Sequence, residues 1–181
     1  MKKLIIYYSH TGNNSTLAKQ VAANLGADSF ELLDIKERTT KKIVLDMIFH
    51  RRPVLQALPE GPDRYDLILF MGPIWMFRIC SPLVSCMKSI RKDVRQYAFV
   101  SLSGGTLGPN TKVPGQLKKL LGKQLALSLD LHTKHFCSIA PESGVDETST
   151  YSLRKHPDEL EKLTHIVTTA VSGIQQSVHH G

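Results

Sequence analysis

Residues 4–25 constrain the fold of this chain more than any other stretch of its sequence. Residues 4–8 form an unbroken apolar run, which is typical of a parallel strand that is covered on both faces. Residues 9–16 are mostly small hydroxyl, amide and glycine residues. Over residues 17–25 the apolar side chains recur on one face of a helix, and Gly26 provides a natural stop. The stretch therefore predicts a buried strand, a polar loop and a helix start.

The polar loop predicts a site for a phosphate group. The start of a helix has unpaired backbone N–H groups and a partial positive charge, and neighbouring hydroxyls add further donors. The sequence has neither the lysine-containing loop of ATPases nor the Gly-x-Gly-x-x-Gly of dinucleotide-binding proteins. The loop also contains no Cys, Arg or Lys, and no Asp ends the strand. These features favour a phosphate that is held intact over one that is transferred.

At these residues the chain resembles the flavodoxin family. The resemblance is carried by Ile-Ile-Tyr-Tyr-Ser at residues 5–9, by Thr-Gly-Asn at residues 11–13, and by Ala18 and Val21. In that family the loop cradles the phosphate of FMN, so the resemblance implies FMN contacts from Ser9, His10, Thr11, Gly12, Asn13 and Asn14. The family usually has Thr where this chain has Asn14. Asparagine is a good helix N-cap, so we expect the loop to keep its shape and to lose one hydroxyl donor.

Two further loops resemble the segments that surround the flavin ring in the same family. The first follows a predicted strand at residues 67–71, and the resemblance implies ring contacts from Pro73, Ile74, Trp75, Met76, Phe77 and Arg78. The family usually has one residue between this Gly and this Pro, whereas Gly72 and Pro73 are adjacent here. The second loop follows a predicted strand at residues 97–102, and it implies contacts from Ser103, Gly104 and Gly105. Glycine lets backbone N–H groups approach a flat ligand closely.

Met76 and Phe77 stand where the family commonly has Ala-Gly. A turn at this point often needs a positive φ, which glycine adopts at little cost. A residue with a side chain typically costs on the order of 1 kcal/mol in that conformation. We therefore expect the one-electron state of the flavin to be disfavoured and reduction to approach a two-electron step.

Strands and helices alternate along the chain, which predicts an α/β fold with a doubly wound parallel sheet. Further strands are expected near residues 30–35 and at residues 125–131, the latter with a one-sided pattern suited to a sheet edge. Ser81 is expected to cap one helix, Gly122 to end another, and Pro157 to open the last. The resemblance implies five strands in the order 2-1-3-4-5. The length of 181 residues fits a single flavodoxin-like domain, residues 1–181.

The sequence leaves three functions of different classes open. The first is a flavodoxin-like redox protein that transfers electrons through bound FMN. The second is an enzyme, an NAD(P)H-dependent FMN or quinone oxidoreductase, and a weaker third is a flavodoxin-like module that has lost FMN and only binds a partner. No acid, base or nucleophile stands out beyond the flavin loops, so no catalytic residue is assigned and the carrier is favoured. Arg78 could instead meet a nucleotide phosphate, which would favour the enzyme.

The formal net charge is +7, whereas well-known flavodoxins are acidic. This charge predicts attraction to an acidic redox partner or an anionic surface. The basic residues are scattered without interleaved aromatic residues, so no nucleic-acid binding is predicted. Residues 41–52 are apolar and bracketed by basic pairs. They predict a short helix that packs on its own domain, or that forms a lid, a homodimer or partner surface, or a membrane-surface helix.

The remaining features predict a cytoplasmic protein. The apolar run near the N-terminus is too short for a signal peptide or a transmembrane segment. Cys80, Cys86 and Cys137 form no Cys-x-x-Cys pattern, which is typical of ordinary reduced thiols. His132 and His135 are three residues apart but follow a strand pattern without carboxylate neighbours, so no metal site is predicted.

Overall fold

The structure is a computed structural model, and it describes residues 1–34, 55, 57, 61–103, 110–123, 125–132 and 151–178. Its strands are β1 (Lys3–Tyr7), β2 (Asp28–Glu31), β3 (Leu67–Met71), β4 (Ile74–Trp75), β5 (Arg78–Ile79), β6 (Gln96–Ser103) and β7 (Leu125–His132). Its α-helices are α1 (Asn13–Leu25), α2 (Ser81–Ile90), α3 (Val113–Leu121) and α4 (Pro157–Val178). Short 3₁₀ turns lie at Pro62–Arg64 and Leu153–Lys155.

Five of the strands form one parallel sheet in the order β2-β1-β3-β6-β7, and β4 and β5 form a separate antiparallel hairpin. With the hairpin set aside, the order along the chain is 2-1-3-4-5, so the predicted doubly wound α/β sheet is confirmed. The strand order reverses between β1 and β3. In open α/β sheets the crevice outside the carboxyl ends of two such strands is where ligands bind.

Two layers of helices cover the sheet. On one face α1 and α4 pack with Val21 and Val167 fully buried, and on the other face α2 and α3 pack with Leu83 and Leu117 fully buried. Consecutive residues of β1 therefore contribute to different cores, and all of β3 is buried. This two-sided cover is the physical reason for the unbroken apolar runs in the sequence, because strands buried on both faces have no polar side.

The strand boundaries differ from the predictions mainly at β2. This strand begins at Asp28, two residues before the predicted start, and ends at Glu31. Asp28 and Ser29 are polar and exposed, yet they pair with β1 because β2 lies at the edge of the sheet. β7 forms the opposite edge, as its one-sided pattern predicted. The helix stops at Gly26 and Gly122 are confirmed, with φ angles of 56° and 67°.

Two predicted helix N-caps are wrong. The N-cap of α1 is Gly12, whose φ of 88° turns the chain into the helix, and Asn14 already lies in the first helical turn. The N-cap of α2 is Cys80, and Ser81 is the first helical residue. Neither cap residue makes a side-chain hydrogen bond to its helix. Backbone conformation, rather than a capping side chain, therefore sets both helix starts.

Several predictions concern residues outside the described part of the chain. These are the segment 41–52, the loop glycines Gly104 and Gly105, and the side chains of His135 and Cys137. Among the described helices, none is both long and apolar enough to cross a membrane.

Candidate functional site

The loop between β1 and α1 opens at the carboxyl end of the sheet. Gly12 adopts a φ of 88°, and its carbonyl accepts a hydrogen bond from the N–H of Thr16 at 2.9 Å, which closes the first turn of α1. The N–H groups at the start of a helix have no partner within the helix, and here the N-cap residue Gly12 has no side chain to cap them. They are oriented to bind an anion, and the helix dipole adds to the attraction.

Two buried hydroxyls lie at the ends of β1 and β6. The Oγ atoms of Ser9 and Ser103 are buried, and neither has a hydrogen-bond partner among the described residues. An unpaired buried hydroxyl typically costs about 1–3 kcal/mol, so a ligand oxygen that accepted its hydrogen bond would be stabilised. Both residues were predicted to bind the cofactor, and the donor set fits a ligand that carries a phosphate. The buried Oδ1 of Asn14 also lacks a partner within the described chain, but a phosphate cannot satisfy it because both are acceptors.

The two asparagines at the start of α1 anchor the loop to distant parts of the fold. The Nδ2 of Asn13 donates to the carbonyl of Tyr151 at 3.0 Å, and its Oδ1 accepts the N–H of Leu153 at 2.8 Å. The Nδ2 of Asn14 donates to the carbonyl of Leu102 in β6 at 2.8 Å. Both side chains are thus turned into the protein. The hydroxyls and backbone N–H groups of the loop are left as the donors for a ligand.

The β4–β5 hairpin brings the second predicted loop to the first. Trp75 pairs with Arg78 across the hairpin and is half-buried. Its ring lies edge-on to that of Tyr8, with 5.9 Å between centroids, and edge-on to that of His10, with 6.3 Å between centroids. The predicted phosphate loop and the predicted ring loop therefore meet at Trp75.

The turn of this hairpin is formed by two residues with side chains in the left-handed region. Met76 has a φ of 46° and Phe77 a φ of 62°. Positive φ at both central positions is the requirement of a type I′ turn, which usually contains Asn-Gly. The expected positive φ is therefore present, and its effect on the reduction of a bound flavin stays a prediction. Met76 is 69% exposed and Phe77 is 39% exposed, so the tip of the hairpin is apolar and faces solvent.

The backbone at the start of this loop passes close to α2 and to the residue that follows β1. A Cβ added to Gly72 would lie 2.6 Å from the Cδ1 of Leu83 and 3.2 Å from the carbonyl oxygen of Tyr8, so this position has no room for a side chain.

Cys80, which follows β5, is buried, and this burial raises the pKa of its thiol to about 12. The thiol is therefore protonated at neutral pH and is not a nucleophile.

A polar cluster that the sequence analysis missed lies at the carboxyl ends of β6 and β7. Asp130 accepts hydrogen bonds from the Oγ of Ser101 at 2.5 Å, and from the backbone N–H and side-chain amide of Asn110 at 3.1 and 2.8 Å. The Nε2 of His132 lies 3.1 Å from the same carboxylate. Burial by itself would raise the pKa of Asp130, but the hydrogen bonds from Ser101 and Asn110 lower it overall.

The expectation that His132 has no carboxylate neighbour is therefore wrong. Asp130 and His132 are two residues apart on one strand, so their side chains share a face, and this spacing was the signal in the sequence. Within the described residues, no three His, Cys, Asp or Glu side chains are grouped as metal ligands would be.

The sequence matches no protein-family model and no curated protein. Among solved structures, the flavoprotein of Lactobacillus acidophilus in complex with FMN is 22% identical, with a TM-score of 0.60 over 75% of this chain and 95% of that one. Flavodoxin 1 of Bacillus cereus is 13% identical, with a TM-score of 0.50 over 95% and 98% of the two chains. The flavodoxin, WrbA-like protein of Agrobacterium tumefaciens is also 13% identical, with a TM-score of 0.50 over 97% and 98%. The fold is therefore flavodoxin-like.

Proposed function

We propose that this flavodoxin-like chain binds one FMN at the carboxyl ends of β1 and β3 and transfers electrons through it. The observation that carries the proposal is the buried hydroxyl of Ser9, which has no hydrogen-bond partner among the described residues and lies in a loop that leads into the start of α1. A phosphate at this point would accept hydrogen bonds from the hydroxyl and from the helix N–H groups. The solved complex of the Lactobacillus acidophilus flavoprotein with FMN supports this choice of ligand.

The residues around the phosphate loop would hold the rest of the cofactor. Trp75 contacts Tyr8 and His10, so a flavin whose phosphate lies in the loop would have an aromatic side chain beside it. Ser103 offers a further buried hydroxyl at the end of β6, which has no partner in the described part of the chain. FMN supplies the capacity to accept and release electrons, and Ser9, Trp75 and Ser103 would hold it at the carboxyl ends of the strands.

We further propose that the electron-transfer partner is an acidic protein. Asp93 is the only acidic residue between positions 67 and 129, whereas Arg78 and the lysines of α2 and α3 are exposed. The excess positive charge thus lies mainly in this stretch of the chain, which includes the hairpin. Opposite charge on a partner would speed encounter, and this gain falls as salt screens it. Electron exchange with an acidic ferredoxin should therefore slow as the salt concentration rises, and a rate independent of salt would contradict this proposal.

A second candidate is an NAD(P)H-dependent oxidoreductase that reduces a quinone or a free flavin. The Asp130–His132 pair favours it, because a histidine held by a carboxylate is a common proton donor or acceptor in enzymes. The buried Nδ1 of His132 also lacks a partner among the described residues. His132→Asn should lower NAD(P)H-dependent turnover and change its pH profile if this candidate is correct. In a carrier, the same variant should leave electron exchange unchanged.

The absorbance spectrum of the protein after incubation with FMN and gel filtration tests the proposal. Flavin bands at one FMN per chain are expected. Bleaching by dithionite but not by NADPH supports the carrier, whereas bleaching by NADPH supports the second candidate. A protein that retains no flavin would contradict both and favour a module that only binds a partner.

A further inference from the structure

Gln116 of α3 contacts the β4–β5 hairpin through both ends of its side-chain amide. Its Nε2 donates to the carbonyl of Phe77 at 2.7 Å, and its Oε1 accepts the N–H of Ile79 at 3.3 Å. These two backbone groups lie on the same edge of β5, two residues apart. The amide therefore occupies the place that a neighbouring strand would occupy in a sheet.

The base of the hairpin packs into the core through the buried side chains of Ile74 and Ile79, whereas its turn is exposed. Each of its strands is two residues long, and an isolated two-stranded hairpin is marginally stable at best in water. Its turn places Met76 and Phe77 at positive φ, a conformation that residues with side chains rarely adopt. The local sequence thus disfavours a turn that the structure nevertheless contains, so a contact from outside the hairpin must help to hold it.

We propose that Gln116 is the positioning residue that holds the Met76–Phe77 turn and thereby keeps Trp75 beside the phosphate loop. Trp75 lies directly opposite Arg78 in the hairpin, so displacement of β5 displaces Trp75 as well. The expected effect of Gln116 on FMN binding rests on the proposed function. Its expected effect on the position of the hairpin does not, and that effect is measured without flavin.

Trp75 is the only tryptophan of the chain, so its fluorescence reports on the hairpin in the flavin-free protein. Gln116→Ala removes both hydrogen bonds, and alanine preserves the helical preference of α3. We expect a red-shifted emission maximum and about twofold stronger quenching by acrylamide. The control is Gln20→Ala, the same change at an exposed position of α1, which should leave both readings unchanged. Equal readings for the two variants would overturn the proposal. Should Gln116→Ala not fold, Gln116→Glu, which keeps the acceptor for Ile79, is measured against the same control.

A second substitution separates a role at the turn from simple packing of α3. Glycine adopts positive φ readily, so Phe77→Gly should stabilise the turn without the help of Gln116. In the Gln116→Ala background, Phe77→Gly is expected to return the acrylamide quenching of Trp75 to the wild-type value. Quenching that stays raised would show that Gln116 acts elsewhere, and it would overturn the proposed role.

Flavin binding extends the test. Loss of two neutral hydrogen bonds predicts about tenfold weaker FMN binding by Gln116→Ala. Riboflavin affinity should fall by a similar factor, because the hairpin would contact the ring and not the phosphate. If the wild-type protein binds no FMN, the proposed function fails, and the Trp75 measurements on flavin-free protein still decide the role of Gln116. Wild-type FMN affinity in Gln116→Ala would overturn the effect on the cofactor.

Discussion

Asn13→Ala is expected to destabilise the fold because Asn13 joins the start of α1 to the segment before α4. Its side chain donates to the carbonyl of Tyr151 and accepts the N–H of Leu153, and all three residues are buried. Each hydrogen bond contributes about 0.5–1.5 kcal/mol net, and each buried partner left unpaired costs about 1–3 kcal/mol. Allowing for partial relaxation, the free energy of unfolding should fall by about 3 kcal/mol. For a chain of this length, that corresponds to a melting temperature lower by roughly 6–12 °C.

Urea unfolding followed by circular dichroism measures this loss. The matched control is Asn24→Ala, the same change on the exposed face of α1, which should alter the free energy of unfolding by less than about 0.5 kcal/mol. Asn13→Asp keeps an acceptor for Leu153 and loses the donor to Tyr151, so an intermediate loss is expected. If Asn13→Ala and Asn24→Ala unfold at the same urea concentration, the anchoring role of Asn13 is refuted.

Three further predictions follow from the site. Bound FMN should have strongly quenched fluorescence, and Trp75→Ala should restore it in part; a bright wild-type complex would place Trp75 away from the ring. Stepwise dithionite titration should show little half-reduced flavin, because the turn at Met76 and Phe77 is strained and held by Gln116; a large absorbance near the red end of the spectrum midway would contradict this. Asp130→Asn should destabilise the protein at pH 7 and less at pH 3. The reason is that folding lowers the pKa of the Asp130 carboxyl group. The ionised carboxylate therefore stabilises the fold fully above the ordinary carboxyl pKa of about 4, and this stabilisation is lost as the pH falls through the pKa of the folded protein. An equal loss at both pH values, from urea midpoints, would show that the ionised carboxylate is not what stabilises the cluster.

The architecture was predictable from the sequence because it depends on patterns that repeat over many residues. The apolar runs of β1 and β3 report burial on both faces, and the amphipathic pattern of α1 agrees with its buried and exposed positions. The helix starts were not predictable in the same way. The type of residue favoured Asn14 and Ser81 as caps, whereas the backbone conformation of Gly12 and the position of Cys80 decide where α1 and α2 begin.

The site was predictable only where its chemistry lies within one loop. Ser9 and Gly12 stand in such a loop, and their residue types suffice to suggest a phosphate. The roles of Asn13 and Gln116 depend on backbone groups far away in the chain, so nothing in the local sequence indicates them. The Asp130–His132 pair is an intermediate case, because their spacing on one strand indicates proximity but not the hydrogen bonds that hold the carboxylate.

The central claim, that the loop after β1 holds the phosphate of FMN, is tested most directly by comparing FMN with riboflavin. The two ligands share the flavin ring, and riboflavin lacks the phosphate. Hydrogen bonds to a charged group contribute about 1.5–3 kcal/mol each, so two of them predict an affinity for FMN at least about a hundredfold higher. Fluorescence titration of the flavin-free protein should show one FMN per chain and much weaker binding of riboflavin. Equal affinity for the two ligands would contradict the claim.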